Sequence, residues 1–531
     1  MMTCLLRAPL VGLLLAAAAL AAPRGDGSLR EFTLERRDVP GSLRWVELRD
    51  LDGDGRLDLV YLAVTDGRRE MGLYRGRRDG GFEEAPAHRL RLKSDVVLVG
   101  LGDLDAAPGV ELVLFTPGSV FVYRPFEPAE SQRYRRLFAE PLFFAFADPN
   151  DAPFWPHVRD LDGDGLEDVC VPGWDGFVMR HQARPAGGQS EFARCGPLHA
   201  YINRGHARVA DRRLNLSIGF GGERYGGRRS EASSPAGDLM VATVRRMSAP
   251  VIADEDGDGR PDLLLLEGDW LRVWPQAPGG VWPESAATEH NVEKVRSLVP
   301  RWARTGNVAH ADLDGDGKLD FLVRQAVERD VRTRLLLFTG GAAALTGPPV
   351  RIFVLEGLTA APCFRDVDGD GRLDLLVPTY RLDLLERARR AAVSSLEVTL
   401  HVFLNRGAAR FGLRPDYSRT ESLRTDQLAA AGIEPMILLD GDFNRDGRAD
   451  LLVVDEQDRL RIYLSTETSG GLFRAGGTFT FQDRPAVSVP IEVPRQVRVF
   501  DQDQDGVSEV LLLHENAFVL GGWGIGQERG R

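Results

Sequence analysis

Short apolar runs recur along the chain from residue 31 onward, and each follows a polar stretch rich in Asp and Gly. Leu59–Ala63, Phe321–Val323, Leu451–Val454 and Val510–Leu513 have the length and the branched side chains of strands. In front of them stands a nine-residue frame, as in Asp312-Leu-Asp-Gly-Asp-Gly-Lys-Leu-Asp320. Around each frame the pattern predicts one grammar: strand, acidic loop, strand, turn, strand, Gly-containing turn, strand. In the first unit these elements are Arg44–Leu48, the loop at Asp50, Leu59–Ala63, Gly72–Tyr74 and Phe82–Leu92.

The frame carries carboxylates at its positions 1, 3, 5 and 9. A hard cation such as calcium takes six to eight oxygens at roughly 2.3–2.6 Å. Side chains at those four positions and the main-chain carbonyl of position 7 can supply such a set. A glycine at position 6 permits the sharp turn. The expected ligands are therefore Asp50, Asp52, Asp54, Arg56 and Asp58 in unit 1, and Asp160, Asp162, Asp164, Leu166 and Asp168 in unit 3. Unit 4 supplies Asp254, Asp256, Asp258, Arg260 and Asp262, and unit 5 supplies Asp312, Asp314, Asp316, Lys318 and Asp320. Units 6 and 7 give Asp366, Asp368, Asp370, Arg372 and Asp374, then Asp442, Asn444, Asp446, Arg448 and Asp450. Unit 8 gives Asp501, Asp503, Asp505, Val507 and Glu509. The residues at position 7 enter through their carbonyls. A degenerate copy at Asp103 keeps Asp105 and Glu111 but has Ala107 and Pro108 at positions 5 and 6, so about seven calcium ions are expected.

Position 12 excludes an EF-hand, which requires a bidentate Glu there and flanking helices. Here it is Tyr61, Leu114, Val171, Leu265, Val323, Val377, Val453 or Leu512, each inside an apolar run. A nine-residue loop between strands, with segments such as Val402-Phe-Leu-Asn-Arg-Gly407, resembles the FG-GAP/VCBS repeat family. That family includes integrin α-subunit propellers and exported bacterial proteins. The resemblance implies an all-β calcium-binding β-propeller over residues 31–531, with roles in binding and cell adhesion.

Loops begin at 50, 103, 160, 254, 312, 366, 442 and 501, and these starts predict eight four-stranded blades, with seven as the alternative. The last unit runs out after its third strand, so the spare strand near Phe32–Asp38 is expected to complete it and close the ring. Two spacings, 94 and 76 residues, are long. His199-Ala-Tyr-Ile-Asn-Arg-Gly205 and His401-Val-Phe-Leu-Asn-Arg-Gly407 read as equivalent third strands, which puts insertions between strands 2 and 3 of blades 3 and 6. These fall at about Gly173–Leu198 and Thr379–Leu396, the second with a short amphipathic helix, Leu382–Ala392. Gly221–Gly237 reads as a loop.

Charge changes this picture little. The net charge is −12, yet ligand positions of the eight frames hold 30 of the 78 acidic residues, and seven calcium ions would bring the chain near neutrality. Basic residues are scattered, which argues against nucleic-acid binding. Arg7, the apolar stretch Leu10–Leu20 and Ala19-Leu20-Ala21 read as a signal peptide over 1–21, followed by a linker over 22–30. A secreted or periplasmic monomer with no membrane span after cleavage is expected. In that compartment Cys170 and Cys195 can form a disulfide, the alternative being three reduced thiols with Cys363.

The loops join strands 1 and 2, so the 2–3 and 4–1 connections share the other face, where integrin-like propellers engage ligands. Trp155, Trp174, Trp270 and Trp302 are the candidate contacts there for a protein or carbohydrate ligand. No nucleophile elbow, zinc helix or nucleotide-binding glycine motif is present. An enzyme acting on polysaccharide or lipid, a lyase or hydrolase, is the alternative to a binding module, with Tyr380, Arg381, His199 and His401 as its leads.

Overall fold

The computed structural model describes residues 31–525, outside 105–107, 128–132, 143–147, 162–166, 184–190, 199–218, 225–249, 279–281, 292–307, 328–331, 381–394, 428–435 and 469–477 and scattered single positions and pairs. The first 30 residues, and with them the expected signal peptide and linker, lie outside the described residues.

Among the described residues, eight consecutive antiparallel sheets form the blades of a propeller, seven four-stranded and one, blade 6, five-stranded. The extra strand of blade 6 is an interrupted first strand. Leu358–Thr359 and Cys363–Arg365 both pair with Asp374–Tyr380. Ring closure follows the sequence reading. Phe32–Asp38 pairs antiparallel with Ala517–Trp523, from Phe32 opposite Trp523 to Asp38 opposite Ala517. One blade thus takes its outer strand from the start of the described residues and its other three strands from their end.

Burial explains why the apolar runs sit where they do. The second strand of each blade is covered on both faces by neighbouring blades, so Asp58–Ala63, Glu111–Thr116, Asp374–Tyr380 and Glu509–Leu513 are buried throughout. A strand buried on both faces reads as a continuous apolar run rather than an alternation. The outer fourth strand alternates, as in Arg351–Glu356, where Phe353 and Leu355 face inward and Ile352 and Val354 outward. First strands of successive blades touch, Leu98–Gly102 with Val158–Arg159 and Ile437–Gly441 with Gln496–Phe500, which puts them on the inner side.

Blade 3 departs from expectation. Asp168–Gly173 turns directly into Gly176–Ala183, which pairs with Glu191–Leu198. The segment 173–198 is therefore strands 3 and 4, not an insertion, and the extra chain follows the fourth strand. Similarity between residues 199–205 and 401–407 misled because the repeat phase was taken from one short match. The same geometry argues against the Cys170–Cys195 disulfide. Those residues lie on the second and fourth strands of one blade, with the third strand between them. Two strand spacings of about 4.8 Å exceed the Cα separation a disulfide can bridge. Cys170 is a free, fully buried thiol.

In blade 6 the insertion does fall between strands 2 and 3, between Asp374–Tyr380 and Ser395–Phe403. Its expected helix, Leu382–Ala392, lies outside the described residues, as does nearly all of Gly221–Gly237. Among the described residues no helix is long and apolar enough to cross a membrane.

Candidate metal centres

Each acidic loop is built from its own backbone inward. The position-1 carboxylate caps the turn. Asp50 accepts the N–H groups of Gly53 at 2.7 Å, Asp54 at 3.1 Å and Gly55 at 2.8 Å. Asp254 and Asp366 accept the three equivalent groups. Positions 4 and 6 take left-handed backbone, with φ of 76° at Gly53 and 86° at Gly55, which is why glycine recurs there.

Position 9 does more than the sequence indicated. Asp58, Asp168, Asp262, Asp320, Asp374 and Asp450 are at most 1 % exposed. One oxygen of each accepts the N–H of position 2, at 2.9 Å for Leu51 and 3.0 Å for Val367. In five of these loops the other oxygen accepts an N–H from beyond the third strand: Gly76, Gln276, Gly340, Asn405 or Ser465. This carboxylate is the stitch that ties the loop to the third strand. The degenerate loop keeps the bond to position 2, with Glu111 accepting the Leu104 N–H at 2.9 Å although positions 5 and 6 are lost.

Burial pushes these carboxyls up, to about 6 for Asp58, Asp262 and Asp320 and about 7 for Asp374, Asp450 and Glu111. Burial and the neighbouring carboxylates also raise Asp52 and Asp368 at position 3. A knot of like charges in a half-dry site calls for a cation.

Among the described residues, five clusters of three carboxylates bring one oxygen from each residue within 4.8 Å of the others. They are Asp50/Asp52/Asp58, Asp254/Asp256/Asp262, Asp312/Asp314/Asp316, Asp366/Asp368/Asp374 and Asp501/Asp503/Asp505. Asp52 Oδ1 and Asp368 Oδ1 are buried and accept no hydrogen bond. Buried acceptors without donors are rare and costly, so these oxygens fit a metal ion. Asp162, Asp164 and Leu166 lie outside the described residues, and Asn444 donates to Asp446 at 3.1 Å instead of adding a carboxylate.

Two further acids proved structural. Glu255, at position 2 of its loop, is buried and accepts the Ala342 N–H of blade 5. Glu167, at position 8, accepts the Asp103 N–H of blade 2 at 2.5 Å. An acid at a non-ligand position of such a loop would ordinarily be solvated; these two instead join blades. Their ladder positions gave no hint, because a neighbouring blade is remote in sequence.

The tryptophans separate. Trp155 is fully buried and donates from Nε1 to the Cys170 carbonyl at 2.7 Å, so it is core and not a ligand contact. The segment before it carries it inward, with the Trp155 N–H donating to the Val99 carbonyl of blade 2 at 2.6 Å and the Val99 N–H to the Pro153 carbonyl at 3.0 Å. Trp174 and Trp302 lie outside the described residues. Trp270 is 42 % exposed at the turn between strands 2 and 3 of blade 4, on the face away from the loops. Of the enzymatic leads, Tyr380 is buried and His401 sits between the hydroxyls of Thr379 and Ser418 at 3.1 and 2.8 Å. Arg381 and His199 lie outside the described residues. A cavity of about 460 Å³ opens beside the interrupted strand of blade 6, lined by Cys363, Arg365, Asp440 and Gln496 among others. An ion pair between Arg365 and Asp440 closes part of it.

A ring of four-stranded blades with acidic loops on one face defines a repeat propeller whose carboxylate clusters could hold metal ions. Residues 254–323, 312–377 and 442–512 match the FG-GAP-like repeat family, and the chain is a propeller containing FG-GAP repeats. No curated protein matches its sequence. Among solved structures it is similar to an Agrocybe aegerita lectin studied for specific recognition of non-reducing terminal N-acetylglucosamine. Identity is 15 %, coverage 73 % of this chain and 81 % of that one, and the TM-score 0.38. A score that low supports no inference about site or ligand.

Proposed function

We propose that this chain is an exported, calcium-stabilised propeller that serves as a binding module, with a carbohydrate or protein ligand on the face opposite the acidic loops. The calcium half rests on the orphaned oxygens of Asp52 and Asp368 inside their carboxylate clusters. Oxygen-only donor sets on a tight loop suit calcium over softer metals. The ion would offset the charge of each knot and hold two strands of a blade together. Export rests on the residue pattern over 1–21.

The ligand half rests on Trp270, the exposed large aromatic among the described residues. An indole at a 2–3 turn, beside the Arg272–Glu289 ion pair at 2.8 Å, offers a stacking surface with polar neighbours. A second reading has its own observation. Val350, Ile352 and Val354 are exposed along the outer strand of blade 5, with Leu413 exposed nearby. Arg351 joins the two segments by donating to the Gly412 carbonyl at 2.6 Å. An apolar row on an unpaired edge suits a protein partner at the rim.

The test is glycan-array and protein-capture binding of the full chain with calcium and with chelator, alongside thermal melts. Expected are a melting temperature lowered by chelation and binding lost on Trp270→Ala. A melt indifferent to calcium sinks the calcium reading, and binding unaffected by Trp270→Ala sinks the placement of the ligand.

A further inference from the structure

The loops differ at position 7 in a way the ligand pattern alone does not show. In three of them this residue is an arginine that folds back onto its own loop. Arg56, Arg260 and Arg372 each pair through Nη2 with the position-5 carboxylate, Asp54, Asp258 or Asp370. Each also donates from Nε to a main-chain carbonyl beyond the third strand: Gly76 at 3.1 Å, Gln276 at 2.8 Å or Asn405 at 2.9 Å. The second oxygen of each position-5 carboxylate accepts the backbone N–H of position 7, at 3.0, 2.9 and 2.9 Å. Residue 7 therefore engages both oxygens of position 5.

The remaining two clusters lack this latch. Lys318 instead lays its stem against Gly257 of blade 4, toward Glu255 there. Val507 is apolar and buried. The clusters divide along the same line. With arginine at position 7 the converging carboxylates are positions 1, 3 and 9; with Lys318 or Val507 they are positions 1, 3 and 5. The arginine draws the position-5 carboxylate out of the group that would hold an ion.

We propose that position 7 sorts the loops into two calcium-affinity classes, the arginine-latched loops at Asp50, Asp254 and Asp366 being weaker and the open loops at Asp312 and Asp501 tighter. This rests on the calcium reading above and adds its internal ranking. The physics has two parts. An ion entering a latched loop must share position 5 with a charge-assisted hydrogen bond, among the stronger pairings in proteins. It also meets a fixed guanidinium charge a few ångströms away, which in a largely solvated site costs roughly tenfold in affinity. The arginine supplies in return a counter-charge that holds the loop together before the ion arrives.

The experiment is calcium titration of the full chain by calorimetry at fixed ionic strength, for the wild type and for Arg372→Gln, Arg56→Gln and Lys318→Arg. Wild type should bind in at least two phases. Either glutamine variant should move one site from the weak to the tight phase, gaining about tenfold, and Lys318→Arg should move one site the other way. The glutamine is placed in two different blades because a single such variant could fail to fold, and melts in chelator report that directly. Phases unchanged or weakened by both glutamine variants, with calcium still bound, overturn the sorting alone. A chain that binds no calcium overturns both the sorting and the reading beneath it.

Discussion

Replacing Asp374 with alanine separates the two jobs of the acidic loop. Its Oδ2 accepts the Val367 N–H at 3.0 Å and its Oδ1 the Asn405 N–H at 2.7 Å, and the side chain has no solvent exposure. Asp374→Ala would leave two buried donors without an acceptor. Each orphaned N–H costs about 1–3 kcal/mol, so the expected loss is about 2–6 kcal/mol. The companion is Asp368→Ala in the same loop. Asp368 Oδ1 takes no hydrogen bond, so its removal should cost below about 1 kcal/mol in chelator and more when calcium is present. The assay is urea denaturation of both variants in chelator and in saturating calcium, at neutral pH. Should Asp374→Ala lose less than about 1 kcal/mol in chelator, the carboxylate is not the stitch described above. Equal losses for both variants in chelator would equally refute the division of labour.

Three more outcomes follow from the same geometry. Burial raises Asp320 to about 6 and Asp374 and Asp450 to about 7, so the folded chain holds their protons more tightly than the unfolded chain does. Their contribution is then fully present below the unfolded value near pH 4 and lost as pH rises through about 6 to 7. Melts in chelator should fall over that window, and calcium should shrink the fall; a calcium-free stability that climbs steadily with pH contradicts this. Trp155→Ala should destabilise by about 3–5 kcal/mol in denaturant titrations, because it empties a fully buried site and orphans the Cys170 carbonyl. Near-native stability for that variant would return Trp155 to the surface. Thiol labelling should find Cys170 reduced and unreactive until the chain unfolds, and a disulfide to Cys195 in the purified protein would disprove the strand order of blade 3.

Much of this architecture is written locally. The nine-residue frame specifies its own turn, because Asp50, the glycines at 53 and 55 and Asp58 all bond within one loop. Its repetition specified the propeller, and the missing strand after Ala517–Trp523 announced that Phe32–Asp38 would fill it. Such features are legible because a loop is a short-range object and a repeat reports itself by spacing. Where the repeat signal was thin the sequence misled: one heptapeptide match placed an insertion inside what became two paired strands of blade 3.

Tertiary structure alone decided what each side chain faces across blades. Trp155 and Trp270 are both candidate ligand contacts in the sequence, yet one is fully buried behind blade 2 and the other 42 % exposed. Glu255 and Glu167 look like loose acids until Ala342 and Asp103 arrive from neighbouring blades. Position 9 looked like one ligand among five, and only the return of the third strand, with the Gly76 or Asn405 N–H, showed it to be a stitch as well. The sequence by itself determined the loops, the strands and the closure, whose partners are local or repeated. Burial and pairing between residues dozens to hundreds of positions apart had to wait for the fold, because no local pattern records which surface a neighbouring blade will cover.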